Sequence, residues 1–487
     1  MRKIALPALL AVVLSSVCAR GEEPVYARKN DKEDTKGFSW LEEFKKIPPL
    51  KHDRGDRWPM ILWECVSYEP QPPEVYKMLL ARGLTQNIRM DAKMIPTAQA
   101  IQAAGSPVIM MNGEGGARPY SFAGKPEVWA HQFDEGYEVG KGSYHRPCLN
   151  VLAGWRIAAD RVRATLRKYK DAAVTVSAVW MDWEGDPLFG RDRYEQAKHC
   201  KRCRRMLPGW VMANRKNFEE YCWRLYLELT GTYLAAPARE VFPDCSVTNW
   251  MAVYSTPERP VRHWNHRVLP PSVPPMFNAT NPVAYGNTVF FKVFWKPSYK
   301  LDREHVDQFY TYLLLQQVSA NAANVRDYAP QIKAVPWISR WCPDEMDPKI
   351  PILSRERYRE VLRHLWLRGT EGMQIFNPTW GRQGFHHICV TEVQDAVAVY
   401  DEMLACREFL DRGEVLCTDM PDPQDDGVIW SALRLGDRAV VRTFKQGGGT
   451  APVTIEPWPG RKIELQATAK GETRVLVLDA DKVRVER

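Results

Sequence analysis

The stretch Val174-Thr-Val-Ser-Ala-Val-Trp-Met-Asp-Trp-Glu-Gly185 decides how the rest of the chain is read. Its first half is a β-branched apolar run, the pattern of a strand covered on both faces. Its second half places Asp182 and Glu184 two residues apart, with Trp183 between them. Side chains alternate along a strand, so the two carboxylates share a face, roughly 6–7 Å apart at the backbone, and Trp183 faces the other way. Gly185, Asp186 and Pro187 then end the strand. Two acids on one face at the exit of a buried strand are costly unless they are paired, hydrated or used in chemistry.

Working outward, strand-like and helix-like segments alternate about eight times. Met60–Val66, Leu84–Met90, Pro107–Asn112 and the opening stretch read as strands one to four. Cys245–Val253, Thr288–Phe294, Ala334–Ser339 and Gly372–Asn377 read as strands five to eight. Helical patterns fall between them at 73–82, 97–104, 155–171, 210–235, 302–319 and 354–368, with a last one at 391–410. Residues 257–282 are Pro-rich and read as a long loop. This rhythm predicts a (β/α)8 barrel over residues 58–412. From Gly413 to Arg487 the texture changes to short strands between Gly and Pro turns, which predicts a small C-terminal β-sandwich.

The N-terminus carries Arg2-Lys3, an apolar run from Ile4 to Leu14 and a small-residue cleavage site after Ala19, the layout of a secretory signal. Residues 20–57 read as an exposed lead-in. No later apolar run is long enough to cross a bilayer. The expectation is therefore an exported protein of bacterial type, periplasmic, surface-bound or extracellular, with no membrane span. Ten cysteines remain after Cys18, and an oxidising compartment permits disulfides whose pairing spacing does not give. The formal charge of +8 favours polyanionic partners, but it reads as scattered, without a long basic block, which argues against nucleic acid.

In a barrel, the C-terminal strand ends face one cavity. Strand one then contributes Glu64, strand two Asp91, strand three Asn112 and Glu114, and strand four Asp182 and Glu184. Asn249, Trp250 and Tyr254 follow strand five, Trp295 strand six, Trp337 lies on strand seven, and Asn377 and Trp380 follow strand eight. An acidic centre with aromatic walls suits a sugar ring, and glycoside cleavage needs a proton donor at the leaving oxygen. Glu184 is the expected acid/base. Asp182, on the same strand, is placed to support an N-acetyl group of the substrate, and its charge holds up the Glu184 pKa. Two other readings stay open: a retaining glycosidase whose nucleophile is Asp182 or another strand-end carboxylate, and a barrel that binds glycans without cutting them.

Asp182-Trp183-Glu184 resembles the Asp-Trp-Glu of hyaluronidases and is similar to the Asp-x-Glu ending of the chitinase-type motif. Phe242-Pro-Asp-Cys245 is similar to a run that hyaluronidases carry downstream. The resemblance implies substrate-assisted retention on N-acetylhexosamine glycans such as glycosaminoglycans or mucin-type chains, with Glu184 the proton donor and Asp182 orienting the acetamido group. Gly185-Asp186-Pro187 and the C-terminal β module depart from that family's pattern. His199-Cys200-Lys-Arg-Cys203 reads as a structural staple rather than a catalytic metal site. His386-His387 reads as structural or substrate-lining, and Gly113-Glu-Gly-Gly116 lacks the Lys and Ser/Thr of a phosphate loop. No metal and no cofactor are expected.

Overall fold

The computed structural model describes residues 39–63, 69–112, 132–137, 150–181, 192–250, 253–254, 277–286, 291–292, 295–340, 349–376, 386–419, 427–480 and 482–486. Strands β1 (Met60–Leu62), β2 (Leu84–Arg89), β3 (Ile109–Asn112), β4 (Ala178–Met181) and β5 (Ser246–Asn249) pair in parallel in chain order. The sheet continues from β1 in the other direction. β10 (Gln374–Ile375) pairs with β1, β9 (Trp337–Ser339) with β10, and β7 (Val283–Tyr285) with β9, all parallel. Short strands β6 (Ala279–Thr280) and β8 (Lys333–Ala334) pair with each other just before β7 and β9.

The sheet order is thus that of an eight-membered ring cut between the fifth and sixth positions. The cut is bridged. The Asn278 N–H donates to the Val247 carbonyl at 3.2 Å, and the Val247 N–H donates to the Asn278 side-chain oxygen at 2.6 Å. One asparagine amide stands in for a ladder bond, because the sixth strand is interrupted by Asn281-Pro282 and proline cannot donate. The result is a (β/α)8 barrel.

The helices follow the expected crossovers. α1 (Trp40–Lys45) precedes the first strand; α2 (Pro73–Ala81), α3 (Ile95–Ala103) and α4 (Leu152–Asp171) follow β1, β2 and β3. After β4 come α5 (Asp192–Lys198), α6 (Lys201–Met206), α7 (Gly209–Met212), α8 (Arg215–Thr230) and α9 (Ala236–Val241). A five-residue π-helical stretch, Gly231–Ala235, joins the last two. α10 (Arg303–Tyr328) leads to β8, α11 (Arg355–Trp366) to β10, and α12 (His386–Leu404) with α13 (Arg407–Arg412) closes the layer. Outward strand residues such as Leu62, Ile88, Met110, Val179 and Ile338 pack on these helices. A second cluster joins Ile61, Ile109, Ala178, Trp180 and Val335 with Trp58. Residues from the first, third, fourth and seventh strands can meet only inside the ring, so this cluster is the barrel interior. Trp58 stacks on Trp180 at 5.7 Å.

Beyond Gly413, β11 (Glu414–Val415), β12 (Val428–Leu435), β13 (Arg438–Lys445), β16 (Glu472–Asp479) and β17 (Lys482–Glu486) form one sheet. The hairpin β14 (Thr450–Trp458) and β15 (Arg461–Thr468) packs against it through Ala432, Val441, Ile455, Trp458, Leu465 and Leu476. The β-sandwich expectation holds. It is fixed to the barrel by a buried network. Arg442 on β13 grips Glu360 on α11 with two bonds of 2.7 and 2.5 Å. His364 Nε2 lies 3.2 Å from the same carboxylate, its Nδ1 2.9 Å from Ser431, and Arg368 reaches Ser431 and Ser319.

Three expectations need correction. The sixth strand is not Thr288–Phe294: it lies earlier, as Ala279–Thr280 at the end of the expected loop and Val283–Tyr285 just past it, and Phe291–Lys292 are helical. The segment ahead of the barrel is not an exposed lead-in over its described part. Phe44 and Ile47 are buried, and Arg57 is 3% exposed and paired with Asp411 at 2.9 Å. The helix expected to end at Ser319 runs on to Tyr328, because Asn321 and Asn324 are buried and spend their amides on the Tyr254 backbone.

Candidate active site at the C-terminal strand ends

The row of strand ends beside the deciding stretch is well defined. Asn112, Met181 and Asn249 are direct neighbours in the ladders of β3, β4 and β5. The Trp250 N–H extends the row by donating to the Met181 carbonyl at 2.6 Å. Asn112 is fully buried and Asn249 half-buried, but both share the parity of the outward residues Met110 and Val247 and so face the helical layer, not the cavity where they were expected. Trp250, half-buried, has the parity of the inward row. Asp182 and Glu184 follow Met181 directly in sequence. They lie outside the described residues, as do Glu64, Glu114, Asn377 and Trp380.

Around the other half of the ring runs an aromatic wall. The Trp250 indole N–H donates to the Tyr285 hydroxyl at 3.3 Å, across the bridged cut between the fifth and sixth strands. Tyr285 ends β7 and stacks on Phe376, just past β10, at 4.5 Å and 21°. Phe376 stands 6.0 Å from both Trp63, just past β1, and Trp337 on β9. Trp63 meets Trp337 edge-on at 4.2 Å. Strands five to eight and one therefore each contribute a ring. Such pairs add about 0.5–1.5 kcal/mol each beyond their burial. Trp337 is fully buried, while Trp63, Phe376 and Trp250 keep part of their surface open.

Sequence reasoning found Trp250 and Trp337 but missed Trp63, Tyr285 and Phe376. Tyr285 lies between the loop expected over 257–282 and the strand expected from Thr288; the other two stand one residue past strands that were correctly located. Arg89 was missed too. It shares a register row with Met111 and Trp180, the latter part of the interior cluster, and is exposed at the end of β2. Gly286 makes the wall possible at one point. Its N–H donates to the Ser339 carbonyl at 2.8 Å, and a Cβ there would sit 2.7 Å from the Arg340 carbonyl.

Three further expected site residues go elsewhere. Asp91 caps the turn Ala92–Met94, accepting from the Lys93 N–H at 3.0 Å, and its carbonyl takes the Tyr169 hydroxyl. Tyr254 is buried against the end of α10, stacked on Tyr328 and packed on Ala329 and Ile332. That helix end feeds β8, so Tyr254 sits toward the opposite end of the barrel from the mouth. Trp295 stacks on Phe291 at 4.2 Å and meets Phe309 on the outer helical layer.

One further acid has a strongly displaced pKa. Burial pushes Glu392 up to about 8, against the Arg340 N–H that donates to it at 2.7 Å. Its place between Tyr358 on α11 and the outer side of β9 makes it part of the wall, not of the mouth. The cysteine motif gives no metal centre: among the described residues no three His, Cys, Asp or Glu groups could hold an ion. Cys245, Cys406 and Cys417 are free thiols, Cys245 pushed up to about 12 by burial. No helix among the described residues is long and apolar enough to cross a membrane.

No family model and no curated protein matches the chain. Among solved structures it is similar to a β-galactosidase from the psychrophilic Marinomonas ef1, at 13% identity and a TM-score of 0.46, covering 72% of this chain and 60% of that one. It is also similar to the PgaB (BpsB) glycoside hydrolase domain from Bordetella bronchiseptica, at 13% identity and a TM-score of 0.41, over 70% and 98%. An Anoxybacillus α-amylase gives 10% identity and a TM-score of 0.41, over 80% and 79%. The fold assignment rests on the strand order and the bridged ring.

Proposed function

We propose that this chain is an exported glycoside hydrolase that cleaves N-acetylhexosamine-containing glycans with retention, using the substrate's own acetamido group as nucleophile. One observation carries the reading. The fourth strand of a (β/α)8 barrel ends at Met181, between buried Asn112 and half-buried Asn249, immediately before Asp182-Trp-Glu184, and an aromatic wall stands across the ring. Ala178 and Trp180 belong to the interior cluster, and positions 182 and 184 share their parity. Active sites of this fold are built at that end.

In the proposed mechanism Glu184 donates a proton to the glycosidic oxygen as the bond to the anomeric carbon breaks. The acetamido oxygen closes on that carbon, and Asp182 holds the amide N–H and balances the charge that develops on it. Glu184 then takes a proton from water, which opens the ring and restores the configuration. Rings such as Trp63 and Phe376 offer apolar faces to the sugar, and the bond from the Trp250 indole to the Tyr285 hydroxyl holds the wall's two edges together.

The test is digestion of a glycan panel, followed by mass spectrometry, with the wild type and Glu184→Gln. Release from N-acetylhexosamine glycans by the wild type alone supports the reading. Cleavage confined to glycans without N-acetyl groups, or equal cleavage by both proteins, overturns it. A lasting adduct with a fluorinated glycoside would transfer the nucleophile's role to an enzyme carboxylate.

A further inference from the structure

The helices that follow the fourth strand carry a feature the proposed chemistry does not use. Residues 198–210 contain Lys198, Lys201, Arg202, Arg204 and Arg205 and no acid, in a chain whose net charge is only +8. In sequence the segment stands out as a cysteine pair in a chain of scattered charge; folded, it turns its cations to one side. Cys200, Cys203, Leu207 and Val211 point into the core and anchor α6 and α7. The opposite face turns out Lys198, Lys201, Arg204, Arg205 and Met206. Trp210 follows on α7, 58% exposed, its ring edge-on to Tyr221 at 5.8 Å.

Some of this charge is spent within the fold. Arg204 makes two bonds to Asp134, at 2.6 and 2.7 Å, and Lys198 pairs with Glu195. The Asp134 pair docks the 132–137 segment from the loop after β3 onto this lobe, with Tyr137 stacked on His199 at 4.3 Å. Lys201 and Arg205 make no ion pair among the described residues. They stand four apart on one short helix, an arrangement of like charges that weakens the helix unless an anion lies against it. Lys201 acts on the Asp134 carboxylate only at a distance, a carboxylate already held by Arg204, and the large exposed indole of Trp210 five residues after Arg205 is likewise unfavourable as bare surface.

We infer that this face is a docking surface for an anionic polysaccharide, in which Lys201 and Arg205 meet carboxylate or sulfate groups and Trp210 stacks on a sugar ring. Both lobes that build it leave the barrel from the third and fourth strands, on the side where the mouth opens. The inference rests on the proposed function only in taking a glycan as the occupant.

The experiment measures binding of the full chain to chondroitin sulfate, with dextran, duplex DNA and phosphatidylglycerol vesicles as comparators. Wild type should bind chondroitin sulfate with an affinity that falls steeply with salt, and dextran should not compete. Lys201→Glu/Arg205→Glu should bind about tenfold more weakly at low ionic strength, where screening is least. Trp210→Ala should weaken binding about fivefold, a loss that persists at high salt because stacking is not screened. The control Lys77→Glu/Lys482→Glu removes the same charge elsewhere and should leave binding unchanged. Equal weakening by the control pair, unchanged binding in the lobe variants, or tighter binding to DNA or vesicles would each overturn the inference. Because binding is read without turnover, a chain that cuts no glycan yet binds through this face would overturn the catalytic reading alone.

Discussion

The barrel mouth and the seam between barrel and β module treat polar groups in opposite ways. At the seam, charge is buried and closed on itself: Arg442, Glu360, His364, Arg368 and Ser431 satisfy one another at 5% exposure or less. At the mouth the described walls are aromatic, with Trp250 and Tyr285 linked by one long hydrogen bond and Trp63 and Phe376 partly open. A buried network bonded within itself locks two units together and leaves little to offer a ligand. A half-open aromatic wall contributes less to holding the fold and leaves the part-open faces of Trp63, Phe376 and Trp250 to a ligand. The contrast places structural locking at the seam and, under the proposed function, ligand contact at the mouth.

The strongest way to break the comparison is at the seam. Arg442→Ala leaves the Glu360 carboxylate buried without its bidentate partner, and should cost about 3–5 kcal/mol in chemical denaturation while leaving kcat of the folded fraction unchanged. A smaller change, or a matching loss of kcat, would mean that the two regions are not separable.

The next effect is in the pH dependence of stability. Burial raises Glu392 to about 8 from its usual 4.5, so its contribution is complete below pH 4.5 and is lost as pH rises through 8. Burial lowers His364 to about 4 from 6.5, so it costs stability as pH falls from 6.5 to 4. Burial acts to raise Glu360, but its bonds to His364 and Arg442 win and hold it at about 2, so its contribution is present above 4.5 and lost as pH falls toward 2. Between 4.5 and 6.5 the Glu392 and His364 slopes oppose each other. Between 6.5 and 8 only Glu392 acts, and the wild type should lose stability by about 1.4 kcal/mol per pH unit. Glu392→Gln should flatten that window; an unchanged slope would show that Glu392 is ionised in the fold.

At the mouth, Trp250→Phe removes the bond to Tyr285 and keeps most of the ring. It should destabilise by about 1 kcal/mol and raise KM several-fold, checked by thermal unfolding and initial rates. The smallest effect belongs to Tyr328→Ala. Its ring is 58% exposed and lies toward the opposite end of the barrel, so stability should move by less than about 0.5 kcal/mol and kcat/KM not at all.

The sequence made seven of eight barrel strands legible, because β-branched runs bounded by turns and amphipathic crossovers such as Leu152–Asp171 are local signals. The sixth was illegible because Ala279-Thr280 and Val283–Tyr285 are split by Asn281-Pro282, and their pairing is set by Lys333–Ala334 and Trp337–Ser339, some 50 residues away. Tyr254 and Asp91 were misjudged for a related reason. Following a strand does not fix where the chain goes next, and each is claimed by a partner on a distant helix, Asn321 and Asn324 for one, Tyr169 for the other. The basic face was missed because its cations alternate with buried cysteines. Charge becomes a patch only once a helix sorts the two kinds of residue onto opposite sides.

The central claim, that Glu184 protonates the departing oxygen, is tested most directly by pairing Glu184→Gln with two N-acetylhexosaminides that differ in leaving group. An alkyl leaving group needs a proton and should lose about 10²–10⁴-fold in kcat/KM, whereas a nitrophenolate needs none and should lose far less. Equal losses on both substrates, or none on either, would contradict the account.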